Sequence, residues 1–425
     1  MLTVEAALEL VLKQIPQPKI QRLPLAMVLG LTLAEPIVSD IDSPPHDKSL
    51  VDGYAARWDD VTSGRDLQVL EEVLAGAVPT HEVVPGTATR IMTGAPLPRG
   101  ADSVVMVEHS ELILRGDSEN SRVILRPLRG SLGMNIMRRG QSLTAGNRVL
   151  PAGRRIRPVE VGMLAELGQA QVPVFAPPVV SILSTGNELV PVDQRPGPGQ
   201  IRNSNGPLLQ AAVEQLGAVP RNLGVALDTP AALEGLIREG LETDLLILSG
   251  GVSAGVADLV PAVLQRCGVE PIFHKIHLRP GKPLWFGTRP RTTQPTLVFG
   301  LPGNPVSSLV CFELFVRPAI QQLLGQPEQT PSIPEVCLTR PYHHRGDRPT
   351  YYPARYVERS VACERVAPKR NDGQCENDQL PGIELLNWQG SADLRTLTEA
   401  DGLACFPAGD CDYAGGARLR WRPLD

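Results

Sequence analysis

The chain has 425 residues, a net charge of −5 and 42% hydrophobic side chains, enough apolar material for about three domains of ~150 residues each. The acidic balance argues against a nucleic-acid binder or a basic membrane-surface protein, so any anion site has to be a local concentration of charge. No apolar run approaches the ~20 residues that span a bilayer, and 40 glycines with 41 prolines promise many turns and short elements.

The opening "MLTVEAALELVLKQIPQP" predicts an amphipathic helix over 2–14, capped by Thr3 and stopped by Pro16. Glu5 and Glu9 interrupt its apolar face and no basic residue precedes it, so it is not a signal peptide. From about 23 to 177, β-rich runs such as "SRVILRPLRGS" and "NRVLPAGRRIRP" are broken by Gly and Pro and predict short strands. Residues 158–169, "PVEVGMLAELGQ", predict a helix opened by Pro158 and closed by Gly168.

The pattern changes at Val179. Up to about Leu324, apolar strands ("VVSIL", "LLIL", "TLVFG") alternate with helices ("SNGPLLQAAVEQLG", "DLVPAVLQRCG", "NPVSSLVCFELFVRPAIQQL"). That alternation predicts a parallel sheet covered on both faces. Asp228-Thr229-Pro230 supplies a cap followed by Pro at the first turn of another helix. From Gln326 onward the text is β-like again. It is interrupted by the aperiodic "CERVAPKRNDGQCENDQLPG", read as a hairpin tip or insertion. The 7 cysteines show no C-x-x-C and no zinc spacing and are expected as reduced thiols of a cytosolic protein. His343-His344 reads as a solvated turn.

In a doubly wound sheet, ligands bind outside the carboxyl ends of the strands. Here those ends carry Ser184-Thr185-Gly186-Asn187-Glu188, then Asp228, then Ser249-Gly250-Gly251 with Asp258 beyond, then Leu301-Pro302-Gly303-Asn304. Glycine loops entering helices offer backbone N–H groups to phosphate. Each loop alone is equally an ordinary tight turn, and each acid alone equally a helix cap; together they point to phosphate. Glu188, Asp228 and Asp258 would repel it unless a divalent cation intervened, and Mg²⁺ held by one or two carboxylates plus phosphate oxygens is the usual arrangement. In "HKIHLRPGKP" a strand would put Lys275, His277 and Arg279 on one face, with Lys282 in the following turn. The bland alternative is an edge strand guarded by charge; the functional one is a substrate that is anionic at more than one place. No G-x-x-x-x-G-K-[ST] occurs.

Read together, "SGGVSAGVAD", "LPGNPVSSLVCFELFVRP", "STGNELV", "IRNSN", "LRPGKP", "VDGYA" and "RIMTGAPLPRGADSVVMVE" resemble the MoeA family of molybdopterin molybdenumtransferases. The ordered set covers most of the chain. The resemblance implies insertion of molybdenum from molybdate into adenylylated molybdopterin, with Mg²⁺ present and AMP released. It implies a cytoplasmic homodimer whose cleft is shared between chains. The adenylyltransferase that makes the substrate is a further implied partner.

The expected fold is α/β and multidomain, with a central doubly wound sheet domain, β-rich N-terminal domains and a barrel-like C-terminal β-domain. The expected parts are 1–22, a helix joining the sheet domain; 23–45 with 141–177, an elongated linker domain; 46–140, β-rich; 178–326, the α/β adenylate-binding domain; and 327–425. By the match, Asp52, Asp228, Lys275 and Arg279 are the implied catalytic residues and Glu188 and Asp258 the metal ligands. Thr93, Thr185, Ser249, Gly250, Gly251, Lys282, Pro302, Gly303, Asn304, Arg348 and Ser391 are the implied substrate contacts, Asp52 and Thr93 serving the partner's cleft.

The chain departs from the family at Leu50-Val51, where Ala-Met is usual; at Gln141-Ser142, where Glu-Asp is usual; and at Arg279, where lysine is common. Two alternatives stand beside this reading. One is an ATP-dependent molybdopterin adenylyltransferase; the other is a non-catalytic scaffold or cofactor carrier built on the same fold.

Overall fold

The computed structural model of the chain describes residues 1–113, 121–252, 259–326, 334–362 and 379–424, the side chains of 358–362 and 379 aside. Residues Met1–Ala34, Gly153–Pro158 and Gln171–Asp425 form one unit, and Glu35–Ala152 with Val159–Ala170 form the other.

The first unit is built on a six-stranded sheet. Its order is Val219–Ala226, Val179–Thr185, Leu245–Ser249, Thr296–Leu301, Trp285–Arg289, Glu270–His274. The first four strands run parallel. The last two join antiparallel, so the sheet is mixed where a purely parallel one was expected. The alternation of side chains explains its two covered faces. Leu245 and Ile247 enter one core with Val180, Phe299 and the helices Asn205–Gln215 and Pro305–Cys311. Leu246 and Leu248 enter the opposite core with Leu233, Ile237 and Val263. Every residue from Leu245 to Ser249 is buried, so the strand is a continuous apolar run.

The N-terminal helix is Val4–Leu12, and Thr3 caps it by accepting from Ala6 N–H at 3.2 Å. Val4, Ala7 and Val11 pack into the first core. The expected long helix after Asn304 is continuous but not regular: Pro305–Cys311 passes through a π turn, Phe312–Val316, into Arg317–Leu323. Pro318 stands in the first turn of the last piece. It has no N–H to give, and widening the preceding turn accommodates it.

Beyond this, strands Glu335–Leu338, Gln379–Leu385, Thr350–Ala362, Gly402–Phe406 and Arg418–Pro423 close a barrel around Val336, Ile383, Phe406 and Trp421. A separate two-stranded ribbon pairs Tyr342–His344 with Cys411–Tyr413. Most of the aperiodic stretch, residues 363–378, lies outside the described residues. Cys267, Cys311, Cys405 and Cys411 are free thiols, as expected; Cys337 is instead disulfide-bonded. It sits buried on the barrel strand Glu335–Leu338.

The second unit holds a six-stranded mixed sheet in the order Ser103–Met106, Gly53–Ala56, Thr87–Ile91, Asp66–Val73, Arg122–Leu125, Ser110–Ile113. Helix Pro158–Glu166 ends near Gly168, which has φ +67°, the left-handed conformation that closes helices. No helix among the described residues is long and apolar enough to cross a membrane.

Candidate active site

Because four strands run parallel, their carboxyl ends share one edge of the sheet. Asn205, at the start of its helix, ties two of them together. Its Nδ2 donates to Ser249 Oγ and to the Gly303 carbonyl, both at 2.7 Å. Gly250 N–H donates to the Leu301 carbonyl at 3.1 Å. Gly250 has φ +98°, and a Cβ there would stand 2.6 Å from the Thr185 carbonyl; only glycine lets this loop lie against the neighbouring one. Among the described residues Thr185 Oγ1 is buried with no hydrogen-bond partner, and it stands 3.0 Å from where a Cβ on Gly251 would be. Ser249, Gly250, Gly251, Thr185 and Gly303 thus form one backbone-rich ledge.

The acids flank that ledge. Glu188 folds its carboxylate back over Gly186, so that both oxygens would be 2.7 Å from a Cβ there. Asp228 lies next to it in space, its N–H donating to Asn187 Oδ1 at 3.0 Å. Thr229, not Asp228, caps the following helix, accepting from Ala232 N–H, which leaves the Asp228 carboxylate free of that task. Asp258 lies outside the described residues. Among the described residues no three His, Cys, Asp or Glu side chains group as a metal cage. Hard oxygen donors in ones and twos nevertheless suit Mg²⁺, which keeps waters and takes the rest of its shell from substrate phosphates. The orphaned Thr185 hydroxyl adds an oxygen of the same kind.

The cationic segment departs from its prediction. Residues 275–283 are not a strand. Lys275 has φ +70°, a value that breaks the pleat, and its N–H donates to the Leu284 carbonyl. His277 N–H donates to the Leu2 carbonyl at 2.8 Å. Ile276 and Leu278 are still buried, so the cations alternate with anchors as expected, but on an irregular loop. Its distal part borders a cleft of about 670 Å³ lined by Arg279, Lys282, Pro302, Asn304, Arg348 and Ser391. Lys275 is not among its walls.

The far wall comes from the barrel. Arg279 N–H donates to the Pro349 carbonyl and Tyr351 N–H to the Arg279 carbonyl, both at 2.9 Å. Arg279 Nη1 reaches the Arg345 carbonyl at 3.3 Å, and Arg348 Nη1 the Leu278 carbonyl at 3.2 Å. Asn304 Nδ2 donates to Ser391 Oγ at 2.9 Å. Arg279 and Lys282 have no carboxylate partner among the described residues, while Arg348 has Asp347 at 3.3 Å. Unneutralised cations beside glycine loops are an oxyanion site in waiting.

Sequence reasoning passed over Asn205, Arg345 and His344. The pair His343-His344 is not a simple solvated turn. His344 is 2% exposed and stacks on Phe406 with centroids 5.1 Å apart. Burial, with Arg279 nearby, holds its pKa below the usual range, so this ring adds no charge to the cleft.

Asp52 and Thr93 lie in the second unit. Strand Gly53–Ala56 pairs antiparallel with Thr87–Ile91, Gly53 opposite Ile91, so the residues just outside the pair meet. Thr93 N–H and Oγ1–H both donate to Asp52 Oδ1 at 2.7 Å. These two bonds, with Arg90 adding attraction, lower the Asp52 pKa. Gly53 is required here too, since a Cβ would stand 2.0 Å from the Val105 carbonyl. Gln141 Oε1 accepts from Arg138 N–H at 2.9 Å and closes its own turn.

The comparisons with known proteins agree with this architecture. Residues 2–168 match the MoeA N-terminal region (domain I and II), and residues 181–322 a probable molybdopterin binding domain. The doubly wound part and its ledge therefore place the chain in the molybdopterin-binding class. A molybdopterin molybdenumtransferase from Nostoc sp. is 38% identical over 331 residues, 76% of this chain and 74% of the relative. One from Synechococcus elongatus is 36% identical over 437 residues and 100% of both chains. A solved molybdopterin biosynthesis MoeA protein from Pyrococcus horikosii superposes with a TM-score of 0.79 at 30% identity, covering 100% of this chain and 99% of that one. The chain belongs to the MoeA family of molybdopterin molybdenumtransferases and is an enzyme.

Proposed function

We propose that this enzyme inserts molybdenum from molybdate into adenylylated molybdopterin and releases AMP. One observation carries the reading. A backbone-rich ledge suited to phosphates runs, through Gly303-Asn304, directly into a cleft whose Arg279 and Lys282 lack carboxylate partners among the described residues. A substrate with a phosphoanhydride at one end and an incoming oxyanion at the other needs both halves.

In this reading Ser249, Gly250, Gly251 and Gly303 receive the nucleotide phosphates, with Thr185 beneath them. Arg279, Lys282, Arg348 and Ser391 receive molybdate. Lys275, on the same loop but away from the cleft walls, serves the pterin phosphate. Glu188 and Asp258 would hold Mg²⁺, which when bound neutralises phosphoryl oxygens. Asp228 keeps its carboxylate uncapped at the ledge. Asp52, held as an anion by Thr93, orients a proton or water at the anhydride of the partner protomer's substrate, which makes the working form a homodimer.

The test is AMP release from adenylylated molybdopterin with molybdate, with and without chelation of divalent cations. Chelation should stop release and Mg²⁺ restore it. Lys282→Ala should weaken molybdate binding about tenfold, the worth of one charge-assisted contact. AMP release that needs neither Mg²⁺ nor Lys282 would remove this reading.

A further inference from the structure

Arg345 lines the cleft on the barrel side, and no carboxylate pairs with it among the described residues. Its Nε–H donates to His343 Nε2 at 2.8 Å. The other ring nitrogen, Nδ1, is hydrogen-bonded to Asp412 Oδ1. A guanidinium can only donate and a carboxylate can only accept. The neutral ring between them therefore carries its proton on Nδ1 and offers its lone pair at Nε2. The three side chains form a directed chain of donation, Arg345 to His343 to Asp412.

The backbone builds this chain. Tyr342–His344 pairs antiparallel with Cys411–Tyr413, and His343 stands directly opposite Asp412, the spacing at which side chains on one face meet. The following loop is pinned twice more. Gly346 N–H donates to Asp410 Oδ1 at 3.2 Å, and Gly409 N–H to the Gly346 carbonyl at 2.7 Å. Arg345 is thus fixed through its Nε, and among the described residues its terminal N–H groups make no hydrogen bond. An arginine that merely decorated a surface would need no such scaffold.

We propose that Arg345 forms a second oxyanion subsite on the barrel side of the cleft, and that the Asp412–His343 pair is the device that positions it. The proposal rests on the function proposed above, since that substrate brings two tetrahedral oxyanions, a phosphoryl group and molybdate. Arg279 and Lys282 hold one from the sheet side; Arg345 meets the other, or the far oxygens of the same one. His343 and Asp412 are positioning residues that act through Arg345.

The experiment is calorimetric titration of the full chain with molybdate alone and with inorganic phosphate alone. Arg345→Ala should weaken at least one of the two anions about tenfold, as loss of one charge-assisted contact does. Which anion it is distinguishes a molybdate subsite from a phosphoryl subsite. His343→Ala should weaken the same anion, and His343→Gln, whose amide oxygen can accept from Nε–H, should recover most of the loss. His343→Ala should add nothing in the Arg345→Ala background, because the two act as one unit. Unchanged binding of both anions by Arg345→Ala, or additive losses in the double variant, overturns the proposal. Arg279→Ala and Lys282→Ala are the controls. If they lose molybdate while Arg345→Ala does not, the subsite falls and the proposed function stands. If they too bind as the wild type, the proposed function itself falls.

Discussion

Glu313 and Arg317 form a sealed ion pair within the π turn and the helix that follows it. Arg317 Nε and Nη2 reach the carboxylate at 2.6 and 2.8 Å, and only 3% of the Glu313 side chain is exposed. Arg422, from the last strand of the barrel, donates to the Glu313 carbonyl at 2.7 Å. The pair therefore sits where the sheet's final helix meets the barrel.

Removing one member of that pair strands the other in a poorly solvated place, which costs about 3–5 kcal/mol. Glu313→Leu should lower the denaturant midpoint accordingly, and Glu313→Leu with Arg317→Leu should recover part of the loss, since Arg422, whose Nε stands 3.8 Å from the same carboxylate, is still left without it. Equilibrium unfolding of the three proteins measures this. A double variant no better than the single would show that the pair adds net stability, not just mutual neutralisation.

Asp52 gives a pH prediction. Its folded pKa is depressed, chiefly by the Thr93 N–H and then by the Thr93 hydroxyl. The interaction is therefore present above the ordinary aspartate range and is lost only as pH falls through the lowered value. Thr93→Ala removes the hydroxyl and should raise that value, moving the acid limb of kcat/KM to higher pH. Thr93→Ser should leave it in place. Superimposable acid limbs for wild type and Thr93→Ala would separate Asp52 ionisation from turnover.

Asn205 joins two loops through one amide nitrogen. Asn205→Ala should cost about 1–2 kcal/mol of stability and weaken nucleotide binding more than molybdate binding, since the cleft cations lie elsewhere. Asn205→Asp should be worse, because it sets a carboxylate against the Gly303 carbonyl. Isothermal titration with AMP and with molybdate reads both. Equal losses for the two ligands would mean that the ledge and the cleft are not separable.

The shared active site proposed above makes a mixing prediction. Asp52→Asn and Arg279→Ala should each be inactive alone. Unfolded and refolded together in equal amounts, they should regain about a quarter of wild-type activity, as random pairing in a two-fold dimer requires. No recovery, with dimers demonstrated by light scattering, would place all the residues in one chain.

The parts of the fold that the sequence announced are those where one physical cause dominates. Leu245–Ser249 is buried throughout, so its apolar run could be read directly. Thr3 and Thr229 cap by chemistry that any window of sequence displays. Glu270–His274 went unseen because only its Phe273 is buried. Lys275 defeated the strand prediction for a related reason: a lysine at φ +70° leaves no mark, whereas a glycine would. The ledge was legible because its loops each follow a strand. The barrel wall was not, because Arg279 and Arg345 meet only through tertiary folding, and His343-His344 reads as polar text although one ring is buried and the other bonded at both nitrogens.

The barrel closes through five strands, and the ribbon that carries His343 is not one of them. Tyr342 and His344 of that ribbon pack on Phe406 of the barrel, but residues 345–348 beyond them lie on no barrel strand, so changes of sequence there leave every barrel strand paired and a modest change in loop length costs little closure entropy. The sheet-side cations have no such freedom, since Ile276 and Leu278 are buried on either side of His277. Selection for a different oxyanion, a heavier metalate for instance, has its cheapest raw material in residues 345–348, where trial and error leaves the barrel strands intact.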